Sequence, residues 1–140
     1  MLKIENLVVN YGAINAIKGI SITVPDKSIV TLIGANGAGK STTLRTISCI
    51  VKSTSGKITY EDTDITNLLP YKVVKMGICQ VPEGRLIFSN LTVKENLEMG
   101  AYLRKDKQNF KKDLGFIFTI FPRLEERMKQ PGGTLSGGEQ

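Results

Sequence analysis

The chain has 140 residues, enough for one domain and too few for two ordinary ones, and its balance of 41% hydrophobic to 23% charged residues is globular rather than disordered. No apolar run approaches the roughly 18 residues of a membrane-crossing helix, and the opening Met1-Leu2-Lys3-Ile4-Glu5-Asn6 lacks a secretory pattern, so the cytoplasm is the expected compartment. Two cysteines, Cys49 and Cys79, and no histidine exclude a disulfide framework, a cysteine zinc site and every histidine-based triad or proton shuttle; the net charge of +6 leans toward Arg104, Lys105, Lys107, Lys111 and Lys112, which reads as a solvated helix face with no nucleic acid as partner.

Residues 2–9 alternate loosely and are rich in β-formers, which predicts a strand. Residues 20–24 alternate as Ile-Ser-Ile-Thr-Val, and the turn chemistry of Pro25-Asp26-Lys27 makes these segments antiparallel neighbours. The apolar run 29–33 predicts a strand buried on both faces. A helix is expected over 39–50 with Leu44 and Ile47 on one face, further strands over 57–60 and 77–81, and a short helix over 68–75 opening at Pro70. Thr92-Val93-Lys94-Glu95 has the spacing of a capping box, and Val93, Leu97 and Ala101 follow at helical intervals. Beyond the basic stretch, the apolar 116–121 leads to Pro122, where a helix must break or restart, and Gly132-Gly133 opens a loop. Both cysteines read as small core hydrophobes. Strands give way to helices near residues 88–90, which divides the chain into a core over 1–88 and a helical part over 89–140.

The strongest motif is Gly34-Ala35-Asn36-Gly37-Ala38-Gly39-Lys40-Ser41-Thr42, a complete G-x-x-x-x-G-K-[ST] between a strand pattern and a helix pattern. Its glycines let successive N–H groups turn inward as an anion nest, and the helix N-terminus adds its own amides and positive dipole end. Lys40 can reach the β- and γ-phosphates of ATP, Ser41 offers a hydroxyl to Mg²⁺, and Thr42 offers a donor near the α-phosphate.

A second string, Leu135-Ser136-Gly137-Gly138-Glu139-Gln140, follows about a hundred residues later. With it the sequence resembles the ATP-binding cassette (ABC) transporter ATPases, and the resemblance runs over essentially the whole chain. It implies an α/β P-loop fold with N-terminal antiparallel strands and a helical subdomain, incomplete here. It also implies that Ser136, Gly137 and Gly138 face the nucleotide of a second ATP-binding subunit in a head-to-tail dimer. By the same resemblance, Tyr11 stacks on adenine, and 89–97 opens the helical subdomain that contacts transmembrane permease subunits.

The family usually has glutamine at the switch between sheet and helical subdomain. Counting back from Leu91 places Glu83 there and leaves Gln80 a decoy. A carboxylate can still ligate Mg²⁺ or orient water, so Glu83 is assigned a catalytic and metal role beside Lys40. Cys49 stands where the family commonly has glycine, so the end of the P-loop helix is expected to differ slightly.

The string Val81-Pro82-Glu83-Gly84-Arg85, with Asn36-Gly37-Ala38 and the opening Leu2-Lys3-Ile4-Glu5-Asn6-Leu7, resembles the ATPase subunits of branched-chain amino-acid importers. That implies an ATPase, peripheral on the cytoplasmic face of the plasma membrane, served indirectly by an extracytoplasmic solute-binding protein. Urea or lipid remains open as cargo. A DNA-repair ATPase is disfavoured, because no heptads or cysteine clusters separate the two motifs. The Walker B strand, the catalytic glutamate and the switch histidine of the family are absent from these residues. The chain is therefore expected to be an N-terminal fragment that binds nucleotide without turnover.

Overall fold

The computed structural model describes residues 1–140, the side chains of Lys107 and Gln108 excepted. The chain divides into two compact units, Met1–Gln80 and Val81–Gln140.

The first unit is built on a four-stranded antiparallel sheet ordered β2-β1-β3-β4, from β1 (Leu2–Tyr11), β2 (Ile14–Val24), β3 (Ser55–Tyr60) and β4 (Thr63–Asp64). β1 and β2 form a hairpin in which Leu2 pairs with Val24 and Tyr11 with Ile14. The loose alternation of β1 has a local cause. Its buried residues are Ile4, Leu7 and Val9, and the phase slips where the ladder is irregular between Ile4 and Leu7. Asn6 sits there at φ 48°, its amide donating to Ser21 Oγ at 2.9 Å. An extra residue in one strand re-aims the side chains beyond it. Gly56 on β3 faces this bulge at φ 93°, and a Cβ there would lie 2.5 Å from the Asn6 carbonyl oxygen.

Ile4, Leu7, Val9, Ile17, Ile58 and Ile65 form the core. Fully burying one such side chain contributes roughly 1.5–3 kcal/mol. Partly buried Ile47, Val51, Leu68, Met76 and Ile78 pack against that cluster.

α1 (Lys40–Ile47) and α2 (Pro70–Lys75, with Pro70 in its first turn) are the helices of this unit. α1 is shorter than expected, and its buried face is Thr43 and Thr46. Leu44 is exposed, while Ile47 is half-buried. Two threonines can face the core because each hydroxyl donates to the backbone four residues earlier, Thr43 to Gly39 at 2.9 Å and Thr46 to Thr42 at 2.7 Å.

The end of α1 keeps glycine-like geometry without glycine. Cys49 has φ 56°, its amide donates to Thr46 and the amide of Ile50 to Arg45, which is the Schellman pattern. Cys49 is buried, its thiol donating to the Ile65 carbonyl at 3.2 Å, and burial raises its pKa. Cys79 is exposed, so only one cysteine is a core residue.

Two expected strands do not form. Residues 29–33 are coil, with Ile29 98% and Ile33 93% exposed, and 77–81 is likewise irregular with Val81 exposed. A strand buried on both faces exists only between two partner strands. Among the described residues none pairs with either run.

The second unit holds α3 (Val93–Gly100), α4 (Lys107–Ile120) and α5 (Pro122–Glu126), then a 3₁₀ turn over Gly132–Thr134. The capping box forms as its spacing predicts. Thr92 accepts from the Glu95 amide, and the Glu95 carboxylate accepts from the Thr92 hydroxyl and amide, each at 2.7 Å, which in that order lower the Glu95 pKa. Pro122 ends α4 and starts α5. In the basic stretch Arg104 pairs with Asp106 and Asp113, which offsets part of the local charge. The side chain of Lys107 lies outside the described residues.

Candidate nucleotide site and signature turn

The phosphate loop lies between the coil after β2 and the N-terminus of α1. Gly37 (φ 85°) and Gly39 (φ 87°) take the left-handed conformation. At Gly39 a Cβ would also come 2.9 Å from the Ala16 carbonyl oxygen and 3.3 Å from Ile17, so the loop is seated on β2 through a residue without a side chain. The Ala38 amide closes a turn onto Ala35 at 3.2 Å. Lys40 Nζ donates to the carbonyl oxygens of Gly34 and Ala35, each at 2.8 Å, which holds its charge inside the loop. α1 begins with no acidic side chain in its first turn and no side-chain cap. Nothing from its own sequence neutralises the positive end of that helix.

Next to the loop is a cleft of about 480 Å³ whose walls include Ile14, Ala16, Ile17 and Lys18 of β2 with Gly37 and Ala38. Its size falls within the range of small-molecule sites. Tyr11 is cross-strand partner to Ile14 at the end of the hairpin and is 45% exposed, so its ring is available at that edge. Of the residues expected from the sequence, Gly37 and Ala38 line this cleft, while Gly34, Asn36, Gly39, Lys40, Ser41 and Thr42 belong to the same loop and the start of α1. The contribution of Ala16, Ile17 and Lys18 has no local signature. It arises because the hairpin returns the chain past the loop.

In the second unit, Leu135 is buried and anchors the signature string. Ser136 then opens a hydrogen-bonded turn. Its amide donates to Glu139 Oε2 at 2.9 Å, and the amides of Glu139 and Gln140 donate back to the Ser136 carbonyl. The contact of the Glu139 carboxylate with the Ser136 amide is one half of a capping-box pattern, and its S-x-x-E spacing is written in the string itself. The Ser136 backbone and hydroxyl, then Arg127 at 3.2 Å, lower the Glu139 pKa. Gly137 and Gly138 occupy the exposed first turn.

Glu83 belongs to this unit and is exposed, next to Gly84 (φ 86°) and Arg85 (φ 52°). The Arg85 guanidinium lies against Gly137. Gln80, at the end of the first unit, has its Oε1 buried with no hydrogen-bond partner among the described residues.

One side chain ties the segment after Glu83 together. Asn96 accepts from the Phe88 amide at 2.9 Å and donates to the carbonyls of Phe88, Leu91 and Thr92. The amides of Gly132 and Gly133 donate to Leu91 and Ser89.

An anion nest at a helix N-terminus with an inward lysine defines a P-loop nucleotide-binding protein. The family is narrower still, since the ABC transporter family matches residues 17–140. The chain is 44% identical over its full length to the high-affinity branched-chain amino acid transport ATP-binding protein BraG of Pseudomonas aeruginosa, covering 60% of that relative. It is 36% identical to the probable branched-chain amino acid transport ATP-binding protein LivF of Archaeoglobus fulgidus, again over its full length and 59% of the relative. Among solved structures, the ADP conformation of MJ1267, an ATP-binding cassette of an ABC transporter, superposes with a TM-score of 0.75 at 29% identity, over 99% of this chain and 60% of that one. The chain belongs to the ABC transporter family of ATP-binding proteins, and it spans about 60% of the length of these curated relatives.

Proposed function

We propose that the protein is the ATP-binding subunit of an ABC importer that couples ATP binding and hydrolysis to uptake of branched-chain amino acids. The observation that carries the nucleotide reading is the seated P-loop, with Gly39 against Ala16 and Lys40 held inside the loop. The similarity to BraG supports the cargo.

In this reading the Tyr11 ring stacks on the base, the amides of the loop and α1 cradle the phosphates, and Lys40 exchanges its two carbonyl partners for phosphate oxygens. Among the described residues no cluster of three or more acidic, cysteine or histidine side chains forms a ready-made metal cage. That donor chemistry suits Mg²⁺, which keeps few protein ligands and shares phosphate oxygens, with the Ser41 hydroxyl at the start of α1 as a protein ligand. Bound Mg²⁺ supplies charge neutralisation at the phosphates. Ser136, Gly137 and Gly138 complete the nucleotide site of a second ATP-binding subunit, and the helical unit meets transmembrane permease subunits, with an extracytoplasmic solute-binding protein delivering the cargo.

Among the described residues no helix is long and apolar enough to cross a membrane. By the similarity to BraG, the subunit is proposed to sit peripherally, on the cytoplasmic face.

The test is reconstitution of the full-length protein with its membrane subunits in liposomes. ATP-dependent uptake of labelled leucine is expected and is lost in Lys40→Ala. Uptake of urea but not leucine would refute the cargo while leaving the ATPase intact.

A further inference from the structure

The geometry points to Arg85 as a phosphate-binding residue that acts in trans: its guanidinium, laid over Gly137, adds a fixed positive charge to the signature turn at the nucleotide of a second copy of this chain. This rests on the proposed reading that the signature turn faces a partner's nucleotide.

Three observations carry it. The first is contact. The guanidinium carbon and Nη1 of Arg85 lie 2.5 Å from the point that a Gly137 Cβ would occupy, so only glycine admits the group there. Gly137 does not have a positive φ, so its backbone alone does not demand glycine. The second is placement. Gly84 and Arg85 are two successive left-handed residues, an arrangement costly for arginine, and the following turn is closed by the Ile87 amide on the Arg85 carbonyl at 2.7 Å.

The third observation is charge. Among the described residues no ion pair includes Arg85. The carboxylate nearest along the chain to Gly137, Glu139, is taken up by the Ser136 amide and by Arg127. An exposed, planar, uncompensated guanidinium beside a glycine turn suits phosphate oxygens, which it can meet through two parallel N–H groups.

The experiment compares two equilibria in the full-length protein: ADP binding to the monomer, which uses the P-loop in cis, and dimerisation driven by a non-hydrolysable ATP analogue with Mg²⁺, which uses the signature in trans. Arg85→Gln is expected to weaken dimerisation by about tenfold, the scale of one charge-assisted hydrogen bond, and to leave ADP affinity within about twofold. Arg85→Lys keeps the charge and should retain most of the dimerisation. Gly137→Ala displaces the guanidinium and should weaken dimerisation in the parent, with a smaller further loss in the Arg85→Gln background. Unchanged dimerisation in Arg85→Gln overturns the proposal. So does an equal loss in Arg85→Lys, which would assign the residue to packing, and so does a parallel loss of ADP affinity, which would place its action in cis. An unmodified protein that binds ADP but never dimerises with the analogue refutes the trans reading of the signature itself, a result separable from failure at Arg85 alone.

Discussion

The two glycine-rich turns of this chain begin alike and are finished differently. Both place glycines where the chain turns, the first at the N-terminus of α1 and the second in a hydrogen-bonded turn over 136–140. The P-loop leaves that end uncapped, with no acid in the first turn of α1, and stores Lys40 against its own carbonyls at 2.8 Å. The signature turn has Glu139 as an internal cap on the Ser136 amide and takes its free cation from elsewhere in the unit, at Arg85. The P-loop is thus electropositive by its own sequence and suited to hold a polyanion alone. The signature turn is partly neutralised by its own Glu139 and draws its positive charge from Arg85.

The largest expected effect comes from removing the cation of the first turn. Lys40→Ala should weaken ATP or ADP binding on the order of 100-fold, from loss of charge-assisted contacts to two phosphates, as measured by calorimetric titration of the full-length protein. Affinity within a few-fold of the parent would mean that the loop does not bind nucleotide.

The next effect separates the two turns by their glycines. Gly39→Ala must place a Cβ 2.9 Å from the Ala16 carbonyl at φ 87°, and should cost about 1–3 kcal/mol in thermal or denaturant unfolding along with nucleotide affinity. A Cβ added at Gly138 would meet nothing within 4 Å, and the φ there is not positive. Gly138→Ala should therefore leave stability within about 0.5 kcal/mol. If it also abolishes nucleotide-driven dimerisation, the glycine is required by a partner and not by its own fold. A large stability loss in Gly138→Ala would erase the distinction.

How much of this was legible in the sequence follows from how local each cause is. The P-loop and the capping box at Thr92 were readable because each is completed within a few residues of backbone. The strand expected over residues 29–33 was not, because its composition describes a strand with neighbours on both sides and no described residue supplies them. Leu44 was misplaced for a related reason: hydrophobicity alone selects it over Thr43 and Thr46, whose hydroxyls are satisfied inside α1 and which are buried. Asn6 shifts the phase of β1 through a bulge that only the paired strands reveal. The contact of Arg85 with Gly137 joins residues far apart in the chain and left no pattern to find, whereas the capping spacing of Ser136 and Glu139 was present and concealed within a family motif.

A smaller effect tests how firmly the second unit holds its turn. Asn96→Leu keeps the volume but strips the Phe88 amide of its acceptor and takes one of two donors from each of the Phe88, Leu91 and Thr92 carbonyls. The expected loss is about 1–2 kcal/mol, with faster hydrogen exchange at the Phe88 amide and unchanged exchange in the sheet of the first unit. Uniform acceleration across both units would mean that Asn96 supports the whole fold and not this segment.

The smallest effect concerns the cap that distinguishes the signature turn from the P-loop. The folded state lowers the Glu139 pKa below its ordinary value of 4.5, first through the Ser136 amide and hydroxyl and then through Arg127. A carboxyl depressed by folding binds its proton more weakly in the native state than in the unfolded one. Its contribution is therefore complete above pH 4.5 and is lost as pH falls through the native value. Glu139→Gln removes that part of the pH dependence, so the gap in melting temperature between parent and variant should be largest near about pH 7 and close as the buffer is acidified below 4.5. Glu95 is lowered in the same direction by Thr92 and stays in place, so the variant keeps a residual acid slope. Salt should narrow the gap, because both partners of the Arg127 pair are within reach of solvent. A gap that persists unchanged into acid would show that Glu139 holds the turn by shape alone, and the electrostatic contrast between the two turns would then rest on Lys40 and Arg85.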